Sequence, residues 1–132
     1  MARAKRGGGY RSGYERNIAS NLRRRKVDFK YESCKLCYTT DHTYTPDFEL
    51  DNGILVEAKG YLRPTDRSKM IAVRDQNPDK DIRFLFANAE NPIKKGSKTT
   101  YGMWAEKNGF KYADGVEIPK EWVMEPGKNG EK

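Results

Sequence analysis

Pro46-Asp47-Phe48-Glu49-Leu50-Asp51-Asn52-Gly53-Ile54-Leu55-Val56-Glu57-Ala58-Lys59 reads as a short β-hairpin that sorts its side chains into an apolar face and an acidic face carrying one lysine. Two registers can close it through Asp51-Asn52-Gly53, and because side chains alternate along a strand the two predict different faces. A two-residue Asn-Gly turn pairs Asp51 with Ile54 and Asp47 with Ala58, mixing acids and apolar groups on both sides. A three-residue loop, with Gly53 in the left-handed conformation that glycine adopts cheaply, pairs Leu50 with Ile54, Phe48 with Val56 and Asp47 with Glu57. Phe48, Leu50, Ile54, Val56 and Ala58 then point into a core, while Asp47, Glu49, Leu55, Glu57 and Lys59 point the other way. The three-residue loop is therefore expected.

Directly opposed residues hold their β-carbons about 5 Å apart. Ionised Asp47 and Glu57 would then repel by about 3 kcal/mol at an effective dielectric of about 20. Lys59, on the same face, supplies one positive charge, and a divalent ion could supply the rest. Hard carboxylate oxygens suit magnesium or manganese. A solvated strand face with cross-strand charge pairing is the competing reading, and spacing alone leaves both open.

Pro46-Asp47 followed by Glu57-Ala58-Lys59 resembles the PD-(D/E)xK nuclease signature on its strand pair. A longer series extends the likeness: Arg11-Ser12-Gly13, His42-Thr43-Tyr44-Thr45-Pro46-Asp47-Phe48, Asn52-Gly53-Ile54, Val56-Glu57, Lys59-Gly60, Lys95-Gly96-Ser97, Tyr101-Gly102 and Glu121-Trp122. In order and spacing these resemble the phage endonuclease I family, the four-way-junction resolving enzymes of podophages, from about Arg11 to about Pro126. The resemblance implies an α/β fold, a restriction-endonuclease-like mixed β-sheet flanked by helices, in a domain-swapped homodimer. It further implies a structure-selective, metal-dependent endonuclease that hydrolyses phosphodiesters of Holliday junctions and other branched DNA in the cytoplasm of an infected bacterial host. Two magnesium or manganese ions per site would be held by Asp47 as the bridging carboxylate, Glu57, Glu15 and the backbone carbonyl of Ala58. Lys59 would orient the attacking water or stabilise charge on the phosphate. Two rivals stand beside this reading: a sequence-specific restriction-type nuclease with the same acids, and a non-catalytic basic DNA-binding protein.

Composition agrees with a polyanionic partner. Twenty-six Lys and Arg against nineteen Asp and Glu give the 132-residue chain a net charge of +7, which selects nucleic acid or another polyanion without choosing between them. The length fits one domain: residues 1–10 as a basic arm, 11–126 as a single nuclease domain and 127–132 as a flexible tail. About 115 residues remain for folding, a small body for which sharing core between two chains is a natural gain. No apolar run approaches a membrane span and no signal-peptide core follows the N-terminus. Cys34 and Cys37 form one CxxC whose further ligands are missing for a tetrahedral zinc site, so they read as reduced strand cysteines.

Ser12-Gly13-Tyr14-Glu15 has capping-box spacing and starts a helix to about Lys26, with Glu15, Ile18, Ala19 and Leu22 on one stripe. The residues alone favour Glu15 as a cap; the resemblance makes it a metal-site acid. Val27, Phe29 and Tyr31 alternate with Asp28, Lys30 and Glu32 as a half-buried strand continuing loosely to Tyr38. A helix begins near Pro64, and Ile82 to Phe86 forms a strand parallel to a hairpin strand. A helix from about Tyr101 to Gly109, a short strand at Phe110 and Tyr112, and a turn anchored by Trp122 complete the chain. Arg11, Ser12, His42, Arg63, Arg67, Lys69, Lys94, Lys95 and Lys98 are the candidate DNA contacts. The loop bearing the last three lacks a P-loop pattern, so nucleotide hydrolysis is not indicated.

Overall fold

The computed structural model describes residues 10–37 and 42–126; the basic arm (Tyr10 apart) and the tail expected at the ends lie outside the described residues. Along the chain run α1 (Gly13–Arg24), β1 (Phe29–Tyr31), β2 (Leu36–Cys37), β3 (Thr43–Tyr44), β4 (Phe48–Leu50), β5 (Ile54–Lys59), α2 (Pro64–Gln76), β6 (Asp81–Phe86), α3 (Tyr101–Lys107), β7 (Tyr112–Asp114) and α4 (Lys120–Met124). One sheet has the order β1-β4-β5-β6-β7, and β2 with β3 forms a separate pair. β1, β4 and β5 are antiparallel neighbours, whereas β5, β6 and β7 run parallel. This is the expected α/β mixed sheet flanked by helices. The parallel pairing of β5 and β6 follows from the helix α2 that crosses between them.

The hairpin takes the three-residue loop. Phe48 faces Val56 and Glu49 faces Leu55, a register that sets Asp47 opposite Glu57. Gly53 sits at φ 92°, and its N–H donates to the Leu50 carbonyl at 2.9 Å. Phe48, Leu50, Ile54, Val56 and Ala58 pack with Ile18, Ala19 and Leu22 of α1. On the opposite face Leu55 joins Met70 and Val73 of α2, Phe84 and Phe86 of β6, and Trp104 of α3. β5 is thus covered on both sides, and Asp47 and Glu57 are each only 6% exposed. That burial removes the solvated-face reading of the hairpin acids.

Helix α1 starts where its cap residue stands. Ser12 Oγ accepts the Glu15 N–H at 3.0 Å, satisfying a first-turn donor. The reciprocal half of the box differs from expectation: Glu15 Oε1 accepts from the Arg11 N–H at 3.2 Å. Arg23 and Arg24 lie in the last turn, favourable for the helix dipole, and Lys26 leaves the helix at φ 59°. Ile18 and Leu22 are fully buried, each stabilising the docked helix by about 1.5–3 kcal/mol.

The strand expected to continue to Tyr38 is interrupted. β1 ends at Tyr31, opposite Phe48, and in that register Ser33 would face Pro46, which has no N–H for a ladder. Glu32 turns at φ 49° instead, its N–H donating to the Asp47 carbonyl at 3.0 Å. The chain re-forms a strand only at β2, which pairs with β3.

Arg83, read from sequence as an alternate strand position, is 1% exposed. Its guanidinium meets Asp81 at 2.7 and 2.9 Å and Glu125 at 2.8 and 2.9 Å, and lies 5.2 Å from the Trp122 ring centroid. These contacts fasten the end of α4 to the start of β6. Among the described residues no helix is long and apolar enough to cross a membrane.

Candidate active site

Four elements deliver acids to one place. Asp47 ends the approach to β4, Glu57 lies on β5, Glu15 heads the buried stripe of α1, and Glu32 occupies the turn after β1. Carboxylate oxygens of Glu15, Glu32 and Asp47 lie within 4.8 Å of one another. A cavity of about 280 Å³ is lined by Glu15, Asp47, Glu57, Ala58 and Lys59, with Arg11 and Lys69 also on its wall. Asp47 therefore belongs to two groups, one with Glu15 and Glu32 and one with Glu57 and Ala58.

Each of three acids has one oxygen held by the protein. Asp47 Oδ2 accepts the Ala58 N–H at 2.9 Å. Glu57 Oε1 accepts from the Tyr44 hydroxyl, and Glu15 Oε1 from the Tyr31 hydroxyl. Burial, and then the neighbouring carboxylates, push both phenols above their ordinary range, so both remain donors. Glu57 Oε2 is 3.5 Å from Lys59 Nζ, which also lies 3.3 Å from Asp66 Oδ1.

The electrostatics favour added positive charge. Burial, followed by the charges of Glu57 and Glu15, pushes Asp47 well above the usual carboxylate range, against the opposing pull of the Ala58 N–H and Lys59. Burial also raises Glu57, although Lys59 and the Tyr44 hydroxyl pull it down. For Lys59, burial works against the charge, but Glu57 and Asp66 outweigh it and raise its pKa. Lys59, with Arg11 and Lys69 on the wall, leaves Asp47 still raised. Hard oxygen donors at this spacing suit a divalent cation, and the cluster of Glu15, Glu32 and Asp47 can hold one.

The basic candidates divide. Arg11 lines the cavity with Nη1 3.5 Å from Glu32 Oε2, and Lys69 Nζ lies 5.4 Å from the Tyr44 ring centroid. Ser12 is engaged as the cap of α1. Arg67 Nη1 donates to the Leu62 and Ile93 carbonyls at 3.2 Å, tying α2 to the segment before it and to the loop after β6. His42 is exposed just before β3, Arg63 is exposed at the start of α2, and Lys94, Lys95 and Lys98 are exposed on a loop where the Ser97 N–H returns to the Lys94 carbonyl at 3.0 Å. Cys34 is half-buried, and burial raises its thiol pKa.

Sequence reading missed Glu32, Tyr31, Tyr44 and Asp66. Alternation had put Glu32 beside Asp28 and Lys30, and only the register of β1 on β4 sets it opposite Asp47. The tyrosines were readable as strand residues, but their hydroxyl partners lie 13 and 16 positions away. Asp66 carried the one available signal, since an acid three residues after an N-cap is a recognised helix start.

Comparisons with known proteins place the chain among nucleases. The chain matches the Phage endonuclease I family over residues 1–131. It is 44% identical over 124 residues to Endonuclease I of Escherichia phage T7, covering 92% of this chain and 83% of that protein. To Endodeoxyribonuclease 1 of Enterobacteria phage T3 it is 42% identical over 130 residues, covering 96% of this chain and 85% of that protein. With a match that spans nearly every residue and an acidic, lysine-bearing cavity at the centre of the matched fold, the chain belongs to the phage endonuclease I family of nucleases.

Proposed function

We propose that this protein is a structure-selective DNA endonuclease that resolves four-way junctions and other branched DNA by divalent-metal-dependent phosphodiester hydrolysis. The observation that carries the reading is the convergence of buried Asp47 and Glu57, Glu15 and Lys59 on one cavity. The donor set fits magnesium or manganese, which Asp47, Glu15, Glu57 and the Ala58 carbonyl would hold. When bound, such ions supply Lewis-acid stabilisation of the charge that builds on the phosphate and the leaving oxygen.

The chain's own groups do the rest. Tyr44, Tyr31 and the Ala58 N–H hold the carboxylates in fixed orientation, so little reorganisation is needed when substrate arrives. Lys59, kept charged by Glu57 and Asp66, presents an ammonium to the scissile phosphate or to the attacking water. Arg11 and Lys69 extend positive charge along the cavity wall, where the neighbouring phosphates would run. Selection of branched DNA then rests on shape and phosphate spacing rather than base sequence. The protein would act in the cytoplasm of an infected bacterial host, where its phage substrates form.

We further infer a homodimer in which α1 is exchanged. The helix buries Ile18, Ala19 and Leu22 on the sheet, and the same contacts serve a helix donated by a second chain. A mixture test reads this directly. Glu15→Ala and Asp47→Ala chains, each inactive, should regain cleavage when refolded together, because an exchanged pair builds one site with every acid intact. Unexchanged chains would stay inactive.

The central experiment is a gel with synthetic four-way junction, linear duplex and bubble, each with magnesium and with chelator. Magnesium-dependent cleavage of the junction well above that of duplex is expected. Equal cleavage of duplex at a fixed sequence would support a restriction-type enzyme, and no cleavage at all would leave a basic binding protein.

A further inference from the structure

Two residues beyond Lys59, Tyr61 projects an aromatic ring that is 63% exposed. The Arg63 guanidinium carbon lies 5.4 Å from that ring's centroid. This pair is joined to the cavity by a short path: the Arg63 N–H donates to Asp66 Oδ2 at 2.9 Å, and Asp66 Oδ1 lies 3.3 Å from Lys59 Nζ. Leu62, between them, is fully buried, so the loop that carries the ring is anchored in the core. The loop that carries the ring therefore continues directly from the lysine on the cavity wall.

We propose that Tyr61, backed by Arg63, is a stacking platform that takes the exposed face of a base or base pair at a DNA branch point. The inference rests on the nuclease reading above and adds to it the feature of the substrate that is recognised. In continuous duplex every base is covered by its neighbours, and a side chain cannot reach a π-face without unstacking the helix. At a branch point the arms can unstack, and an aromatic ring paired with a guanidinium can then cover the face that opens. A phosphate contact would need only positive charge, which Arg63 alone supplies; the exposed ring is what phosphate binding leaves unexplained.

The test uses the full chain with Tyr61→Ala, Tyr61→Phe, Tyr61→Trp and Tyr61→Leu, and a four-way junction carrying 2-aminopurine at the branch point. Tyr61→Ala should lower the ratio of junction to duplex cleavage about tenfold, the size expected for one base–aromatic contact. Binding of the wild-type chain, followed in chelator so that no turnover is needed, should quench 2-aminopurine, and Tyr61→Ala should remove the quenching. Tyr61→Phe and Tyr61→Trp should retain both properties and Tyr61→Leu should not. Equal loss on both substrates, an unchanged ratio, or full rescue by leucine would overturn the proposal. Absence of wild-type cleavage with magnesium would refute the nuclease reading instead, while the fluorescence comparison would still decide the role of the ring.

Discussion

Lys59 Nζ stands between two carboxylates on different elements, 3.5 Å from Glu57 Oε2 on its own strand and 3.3 Å from Asp66 Oδ1 on α2. Glu57 reaches toward the acids of the cavity, whereas Asp66 is fixed by the Arg63 N–H that it caps. The ammonium is thus located by a helix start, and α2 orients the one cation that the hairpin contributes.

Loss of that anchor should show in turnover. Asp66→Asn keeps an oxygen for the Arg63 N–H but removes the charge facing Lys59, and a catalytic group displaced by about 1 Å can lose about 100-fold in rate. Single-turnover cleavage should fall by that order with junction affinity unchanged. An unaltered rate would mean that Glu57 alone positions the lysine.

Asp47→Ala should lower magnesium-dependent cleavage below about a hundredth of wild type, since even the partners of metal ligands commonly cost 10- to 100-fold. Binding of the junction should be kept or tightened, because local negative charge is removed. Full activity in this variant would end the assignment.

Metal-free stability should also respond to Asp47, with a definite sign. Its carboxyl titrates higher in the folded chain than in the unfolded one, so the folded state holds the proton more tightly. The stability this contributes is present below the ordinary aspartate range and is lost as pH rises through the folded value. In chelator, Asp47→Asn should therefore melt above wild type at neutral pH, by about 4 °C for each 1 kcal/mol in a body this size. The difference should vanish toward about pH 4. Magnesium should narrow the gap by stabilising wild type; a variant that melts lower at neutral pH would contradict the account.

Tyr44→Phe removes the hydroxyl that holds Glu57 while keeping the ring in its core. Metal affinity should fall about 10- to 100-fold, read as a higher magnesium concentration for half-maximal cleavage. A matching loss of rate at saturating magnesium with no shift in metal dependence would argue against the proposed role.

Arg83→Met tests the clamp between β6 and α4. Removing a buried, doubly paired guanidinium should cost about 2–3 kcal/mol in urea denaturation, with the cavity acids undisturbed. A neutral result would show that Trp122 holds α4 without it.

The hairpin was fully legible because its information is local. Alternation of Phe48, Leu50, Ile54 and Val56, with a glycine at the one position needing positive φ, admits a single register with consistent faces. The starts of α1 and α2, the parallel pairing of β6 and the stop of α3 at Gly109 were readable for the same reason. The strand break after Tyr31 was not, because its cause is Pro46 on the partner strand, visible only once the register of β1 on β4 is known.

Sequence alone thus determined the hairpin, its opposed acids, the polyanionic character of the partner and, through a resemblance, the family. Tertiary structure alone decided that these acids are buried, that Glu32 joins Glu15 and Asp47, that Tyr31, Tyr44 and Asp66 orient the charged groups, and that Arg83 lies in the core. The division has a physical origin: strand and cap patterns depend on neighbours a few residues apart, whereas burial and hydrogen-bond partnership depend on which distant segments the fold brings together.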